Sequence, residues 1–261
     1  AQLNNLLKYI SEHSAFWRAR LNGLTMSDDV LSRLPTLSRT KLMEQVGAEG
    51  PLCPKEYLQG VNAYSSSGST GTPVQVHTMR QNARYNEIRS LAQYFIERRN
   101  LNFNRTRIKP ASGQETVLGS GCHVDIHDSW IGEVGQIFAH GKYKVVHFSG
   151  DVPALIKELK KDPVGYLACL GSHMDILIQA GGVELLNELG IQMWLHHSDN
   201  FDESHREIVE GCGISIRSSY SSTELGPIAV ECASSPGYFH VVHTNVLVEA
   251  DDAEAISYDG H

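Results

Sequence analysis

The stretch "YKVVHFSGDVPALIKELKKDPVGYLACLGS", Tyr143–Ser172, decides the fold class. YKVVHF reads as a short buried strand ending near Gly150, VPALIKELKKD as a helix, and VGYLACLGS as a second strand followed by a turn. The same alternation continues outward. HMDILIQAGGVELLNELG (173–190) is helical with an interruption at Gly181-Gly182, and IQMWLHHS (191–198) is a strand. NFDESHREIVEGCG (200–213) is a helix with an acidic first turn, and ISIRSSYSSTELG (214–226) is a strand followed by a polar turn. FHVVHTNVLVEADD (239–252) reads as a closing pair of strands. Strand–helix–strand alternation over about 140–220 predicts an α/β fold with a mostly parallel sheet flanked by helices and a β-rich C-terminal stretch. In such sheets functional loops lie at the carboxyl ends of strands, where SGD, LGS, HHSDN and SSYSSTE all fall.

Upstream, residues 3–21 read as one amphipathic helix carrying Leu3, Leu6, Leu7, Ile10, Phe16 and Trp17 on its apolar side. Ser38-Arg39-Thr40-Lys41 spells a hydrolase-like S-x-x-K, but without companion motifs it reads as a helix start. Gln81–Arg99 is a long helical stretch, and RTRIKPAS opens on a short strand. The expected organisation is an N-terminal helical segment over 1–60 and an α/β core over 61–261.

Composition narrows the class. The 261 residues are 41% hydrophobic and 20% charged, an ordinary globular mix. A net charge of −8 and scattered basic residues disfavour nucleic acid and anionic membranes as partners, because both need a basic face. The five cysteines are widely spaced, odd in number and form no CxxC, which predicts reduced thiols and a cytoplasmic location. No signal peptide and no apolar run of membrane length is read in the sequence. Ala1 is not Met and SYDGH is no obvious natural end, so both ends are expected to have been cut.

Between two apolar, β-branched runs lies "YSSSGSTGTPVQV", Tyr64–Val76. Gly68 and Gly71 permit backbone angles that let consecutive amides converge on an anion. The hydroxyls of Ser66, Ser67, Ser69 and Thr70 add donors suited to phosphate oxygens. The loop lacks the G-K-[ST] of a Walker A motif and the G-x-S-x-G of a nucleophile elbow. Cys232, His240 and His243 offer zinc-ligand types at a spacing that matches no strong template, with His240 and His243 on opposite faces of a strand. Cys122, His123, Asp125, His127 and Asp128 form a second polar group that reads as a loop, with a metal site or thiol nucleophile as the minor alternative. Trp17, Trp130 and Trp194 read as core.

"SSSGSTGTP" (65–73) resembles the phosphate loop of the adenylate-forming, acyl-CoA synthetase-like superfamily, and "SYSSTELGP" (219–227) resembles its aromatic-x-x-[ST]-E signature. Ala15-Phe16-Trp17-Arg18, "LPTLSRTKL" (34–42) and "ECASSPGYFHVVHTNVLVEADD" (231–252) are similar to the phenylacetate–CoA ligase-like branch. The resemblance implies the large N-terminal domain of an enzyme that activates a small, for instance aromatic, carboxylic acid with ATP and Mg²⁺. An acyl-adenylate forms, and the acyl group passes to CoA or another thiol. It further implies that Ser66, Ser67, Gly68, Ser69, Thr70 and Gly71 wrap the β- and γ-phosphates. Tyr220, flanked by Ser219 and Ser221, lies against adenine; Thr223 binds the α-phosphate and Glu224 takes Mg²⁺. Ser198 and Asp199 stand where relatives touch adenine. Ser172, His173, Met174 and His197 are the candidates for substrate contact. Thr72 replaces the lysine of many relatives. The sequence stops before the family's ribose-binding aspartate, hinge and lysine-bearing C-terminal domain, so this stretch alone is expected to bind nucleotide and adenylate poorly. A nucleotide-binding chain without ligase activity, and an amine or protein acceptor, stay open, and a homodimer is the analogy-based expectation.

Overall fold

The computed structural model describes residues 2–24, 30–38, 40–41, 44, 61–65, 75–111, 121–132, 137–197, 199, 202–222, 225–242 and 246–248. The chain divides into two compact units, Ala1–Tyr85 and Asn86–His261.

In the first unit, α1 (Gln2–His13) and α2 (Ala15–Leu21) replace the single helix expected over 3–21. Ser14 causes the break. Its backbone is extended, and its hydroxyl accepts the Trp17 amide at 3.3 Å as an N-cap. Leu7 and Leu21 meet Val30 of α3 (Val30–Arg33) in a small apolar core. The strands β1 (Val61–Ser65) and β2 (Gln75–Met79) then pair antiparallel, with Ser65 opposite Gln75. The hydroxyl-rich loop thus connects two paired strands; its own residues, 66–74, lie outside the described residues.

The second unit is built on one eight-stranded sheet. The helix α4 (Arg80–Ile96) leads to β3 (Arg105–Pro110), β4 (His123–His127) and β5 (Tyr143–Phe148). The chain continues as α5 (Val152–Leu159), β6 (Gly165–Cys169), α6 (Gly171–Glu188), β7 (Ile191–His196) and α7 (Glu203–Gly211). It closes with β8 (Ser215–Ser222), β9 (Gly226–Cys232) and β10 (Ser235–Val241). Strand order is β10-β9-β8-β7-β6-β3-β5-β4. The five strands from β5 to β8 are parallel, and β4, β9 and β10 join antiparallel at the two edges.

Side chains alternate across this sheet. Ile108, Val146, Leu167, Cys169, Trp194 and Ile216 face α5, α6 and α7 in the main core. Tyr143, Tyr166, Met193 and Leu195 face the other way and meet Leu91 and Tyr94 of α4, with Trp130 beside them. The expected helices are all present in this half. Asp151 and Asp202 cap α5 and α7 through side-chain oxygens, and α6 breaks its helical angles at Gly182 (φ 57°, ψ −146°). Among the described residues no helix is long and apolar enough to cross a membrane.

Three readings change. SSYSS is not a turn but the second half of β8, because antiparallel pairing with β9 holds its backbone extended. GPIAVEC, unread as a strand, is β9, and the closing pair is β9–β10; 246–248 has no regular structure. The polar group at 123–127 is a strand rather than a loop, paired along its length with β5.

Asn104 ties the amino ends of three strands. Its Oδ1 accepts the Lys142 amide at 3.0 Å, its Nδ2 donates to the Pro163 carbonyl at 3.1 Å, and its carbonyl accepts the Tyr166 amide at 2.8 Å. The approach is close enough to require glycine. A Cβ on Gly165, which sits at φ +65°, would lie 2.4 Å from the Asn104 carbonyl oxygen. Gly165→Ala therefore combines left-handed strain with a backbone clash and is expected to cost about 2–4 kcal/mol in chemical denaturation. Gly211→Ala, where nothing lies within 4 Å of the added Cβ, is expected to be neutral or to stabilise α7 by up to about 1 kcal/mol.

Candidate functional site

The chain leaves β3 toward β5 on one side and returns to β6 on the other. This reversal of strand order falls between β3 and β6, and the carboxyl ends of strands at such a point are the usual ligand position in open α/β sheets. A cleft of about 670 Å³ lies on the α4 face of the same sheet. Its floor is Ala168 of β6, Leu195 and His197 at the end of β7, and Arg217, Ser219 and Ser221 of β8. The strand period of two puts Arg217, Ser219 and Ser221 on one face together. Residues of α4 form one wall, and β9–β10 residues, among them Glu231 and His240, form the other.

The cleft is electropositive. Arg89, Arg99, Arg105 and Arg217 line it against Glu97 and Glu231. Both glutamates are already engaged: Glu97 pairs with Arg99, and Glu231 with Arg206 at 3.4 Å. Glu231 is buried and accepts the Ser218 amide at 2.9 Å and the Gly237 amide at 3.0 Å. Burial alone would raise its pKa, but those amides and Arg206 outweigh it and hold the carboxyl below its usual value. Arg105 reaches the Tyr94 hydroxyl at 3.5 Å and stands 5.8 Å from the Tyr143 ring centre. Arg105 Nε and Arg217 Nε are buried without a hydrogen-bond partner among the described residues. Buried donors without acceptors suit an anionic ligand.

His196 and His197 diverge. His197 lines the cleft; burial pushes its pKa down, and Arg107 and Arg105 add to the effect, leaving a neutral imidazole. His196 packs 5.1 Å from Trp194 and lies 3.3 Å from both Ser218 Oγ and Asp199 Oδ1.

Asp199 stands in the loop after β7, outside the residues that line the cleft. Its carboxylate accepts the Gly171 amide at 2.7 Å, the Ser172 amide at 3.1 Å and the Ser172 hydroxyl at 3.2 Å, all at the first turn of α6. Burial works against its charge, but the hydrogen bonds from Gly171, Ser172 and His196 prevail and lower its pKa. The helix N-terminus favours the anion further. Asp199 thereby joins the loop after β7 to the loop after β6.

The structure sorts the expected site residues by face. Ser219, Ser221 and His197 line the cleft. Tyr220, between the two serines on β8, is 62% exposed. Ser172 and Asp199 hold each other, and His173 is buried edge-on to Phe148 at 5.7 Å between ring centres. Met174 is a core residue, fully buried beneath the sheet, so it offers no pocket surface. Ser66, Ser67, Gly68, Ser69, Thr70, Gly71, Ser198, Thr223 and Glu224 lie outside the described residues. The zinc candidates Cys232 and His240 gain no third ligand among the described residues, and His243 lies outside them. Hydrogen bonding, first from Ser234 and also from His240, lowers the exposed Cys232 thiol to about 6. Arg99 and Arg105 belong to the densest basic group of the sequence (Arg98, Arg99, Arg105, Arg107, Lys109), which reads there as a solvated surface, and Arg89 and Arg217 carry no local signal.

No family profile and no curated protein matches the chain in sequence. Solved structures match it in fold. An open conformation of 2-hydroxyisobutyryl-CoA ligase, in complex with 2-HIB-AMP and CoA, superposes with a TM-score of 0.64 at 15% identity, over 91% of this chain and 52% of that one. ATP-bound MatB from Rhodopseudomonas palustris aligns with a TM-score of 0.45 at 14% identity, over 67% of this chain and 32% of that one. The chain spans about half the length of the first of these. The fold is an α/β unit with a mostly parallel sheet flanked by helices, shared with the superposed half of that ligase.

Asp199→Asn replaces an acceptor by a donor facing two amides. The variant is expected to lose about 1–3 kcal/mol of stability at pH 7. Because the folded pKa of Asp199 is depressed, its contribution is present above the unfolded value of about 3.9 and is lost as pH falls through the folded one. Urea titrations should therefore show the gap between wild type and variant narrowing below about pH 4.

Proposed function

We propose that this chain is the large, nucleotide- and acid-binding part of an ATP-dependent acid–thiol ligase. The observation that carries the reading is the fold: 91% of the chain superposes on a CoA ligase whose structure holds an acyl-AMP and CoA. The net-positive cleft beside the β8 signature segment supports it independently.

In the first half-reaction a carboxylate oxygen attacks the α-phosphorus of ATP. The bond from that phosphorus to the bridging oxygen breaks, and pyrophosphate leaves with the electron pair. In the second, a thiol sulfur attacks the acyl carbon, the thiol proton is lost to solvent, and AMP departs. Both steps concentrate negative charge, and catalysis is mostly positioning and charge stabilisation. Arg105 and Arg217 meet that need in the cleft, with Ser219 and Ser221 offering hydroxyl donors. His197, neutral, can accept a proton or line the acyl group. Asp199, committed to α6, acts as a positioning residue. From the resemblance, residues 66–71 hold the β- and γ-phosphates, Tyr220 lies near adenine, Thr223 binds the α-phosphate and Glu224 holds Mg²⁺, which would neutralise phosphate charge. The acid is small, an aromatic one fitting the phenylacetate–CoA ligase-like motifs, and the acceptor is CoA or another thiol.

Acid-dependent exchange of radiolabelled pyrophosphate into ATP tests the reading in the whole native protein that contains this chain. Exchange is expected with at least one small carboxylic acid, and Glu224→Ala or Arg217→Gln should lower it by about 10²–10³-fold. ATP binding without exchange across a broad acid panel would contradict the ligase and leave a nucleotide-binding protein.

A further inference from the structure

The antiparallel pair β4–β5 places two histidines and a carboxylate on one face of the sheet. His123 stands directly opposite His147 in the register, and Asp125 follows two residues along β4. A separation of two keeps His123 and Asp125 on the same side. The Asp125 carboxylate lies between the two rings: His147 Nε2 is 2.8 Å from Oδ2, and His123 Nε2 is 3.2 Å from Oδ1. The ring centres are 5.1 Å apart, and one ligand atom from each of the three side chains falls within 4.8 Å of the other two.

We infer that His123, Asp125 and His147 form a binding site for a borderline first-row divalent cation of the Zn²⁺ class. Zinc bonds of about 2.0–2.2 Å in a tetrahedral site set ligand atoms roughly 3.3–3.6 Å apart. To reach that spacing the two histidine–carboxylate separations, 2.8 and 3.2 Å, lengthen slightly, and the imidazole nitrogens, within 4.8 Å of each other, draw in. Both histidines direct Nε2 at the carboxylate, which is the convergence a shared cation requires; a lone ion pair with His147 would need no second imidazole. Two imidazoles and one carboxylate favour Zn²⁺, Co²⁺ or Ni²⁺ over Mg²⁺ or Ca²⁺. The His147 side chain is 1% exposed, whereas those of His123 and Asp125 are 39% and 44% exposed. An ion can therefore enter from solvent, with water completing its shell. Cys122 takes no part, since it packs against the core on the opposite face. Because β4 is the edge strand of the sheet, the ion would clamp that edge onto β5, and an edge strand is the element that most needs such a tie. The site uses none of the residues assigned to the ligase reaction, so the two readings stand or fall separately.

Titration of Co²⁺ into the metal-free, full-length chain, read by visible d–d absorption, is the test. One Co²⁺ per chain is expected, displaced by Zn²⁺ and accompanied by a rise in Tm. His123→Ala, at a partly exposed position, should keep the metal-free Tm and weaken binding by at least about tenfold; Asp125→Asn should weaken binding likewise. Unchanged Co²⁺ binding in both variants, loss of binding in Cys232→Ser instead, or no stoichiometric binding to the wild type would each overturn the inference.

Discussion

Asn104 joins the amino ends of β3, β5 and β6 through three hydrogen bonds, and the placement of everything at the opposite ends of those strands follows from it. A parallel ladder has no tight turn to set its register, because each connection is long. Here the amide side chain supplies that reference point. Gly165 makes it possible by letting the backbone of β6 come close enough to be held. With the registers fixed, Arg105 falls beside Tyr166 and Arg217 beside Leu195. Residues distant in sequence thereby gather on one face.

The alternation of side chains then divides labour between the two faces. One face is a continuous apolar core under α5, α6 and α7, in which Trp194, Leu167 and Met174 are fully buried. The other carries Tyr166 and Leu195 but turns polar toward the strand ends, where Arg217, Ser219 and Ser221 succeed one another along β8. The divergence of His196 and His197 is the same rule acting on consecutive residues. His196 supports the Asp199 tie at the N-terminus of α6, and His197 enters the cleft. Charge-assisted hydrogen bonds at that tie hold the loop after β7 in a fixed shape.

The βαβ core was legible from residues alone because its strands are apolar and its helices carry Asp caps and glycine stops. What escaped did so for physical reasons. SSYSS has the composition of a turn, and only its pairing with β9 keeps it extended. GPIAVEC and HVDIH are strands by virtue of their neighbours: β9 is paired on both sides, by β8 and β10, and β4 along its length by β5, which overrides local propensity. Ser14 splits a helix that apolar periodicity alone would continue. The hydroxyl-rich loop is legible from composition and then from resemblance, whereas Arg99 and Arg105 read locally as solvated surface and meet Arg217 only through long-range register. Met174 was drawn toward the site by its neighbours in sequence, but the helical twist of α6 turns it into the core.

The central claim is that the cleft over β6, β7 and β8 receives the acyl-adenylate. Amide hydrogen exchange, with and without a stable acyl-sulfamoyl adenosine analogue, addresses it directly. The account predicts slowed exchange concentrated at 195–197 and 217–221, with the amide ends of β3, β5 and β6 around Asn104 unchanged. Saturating analogue that leaves 195–197 and 217–221 unprotected, with any protection confined to other segments, would contradict it.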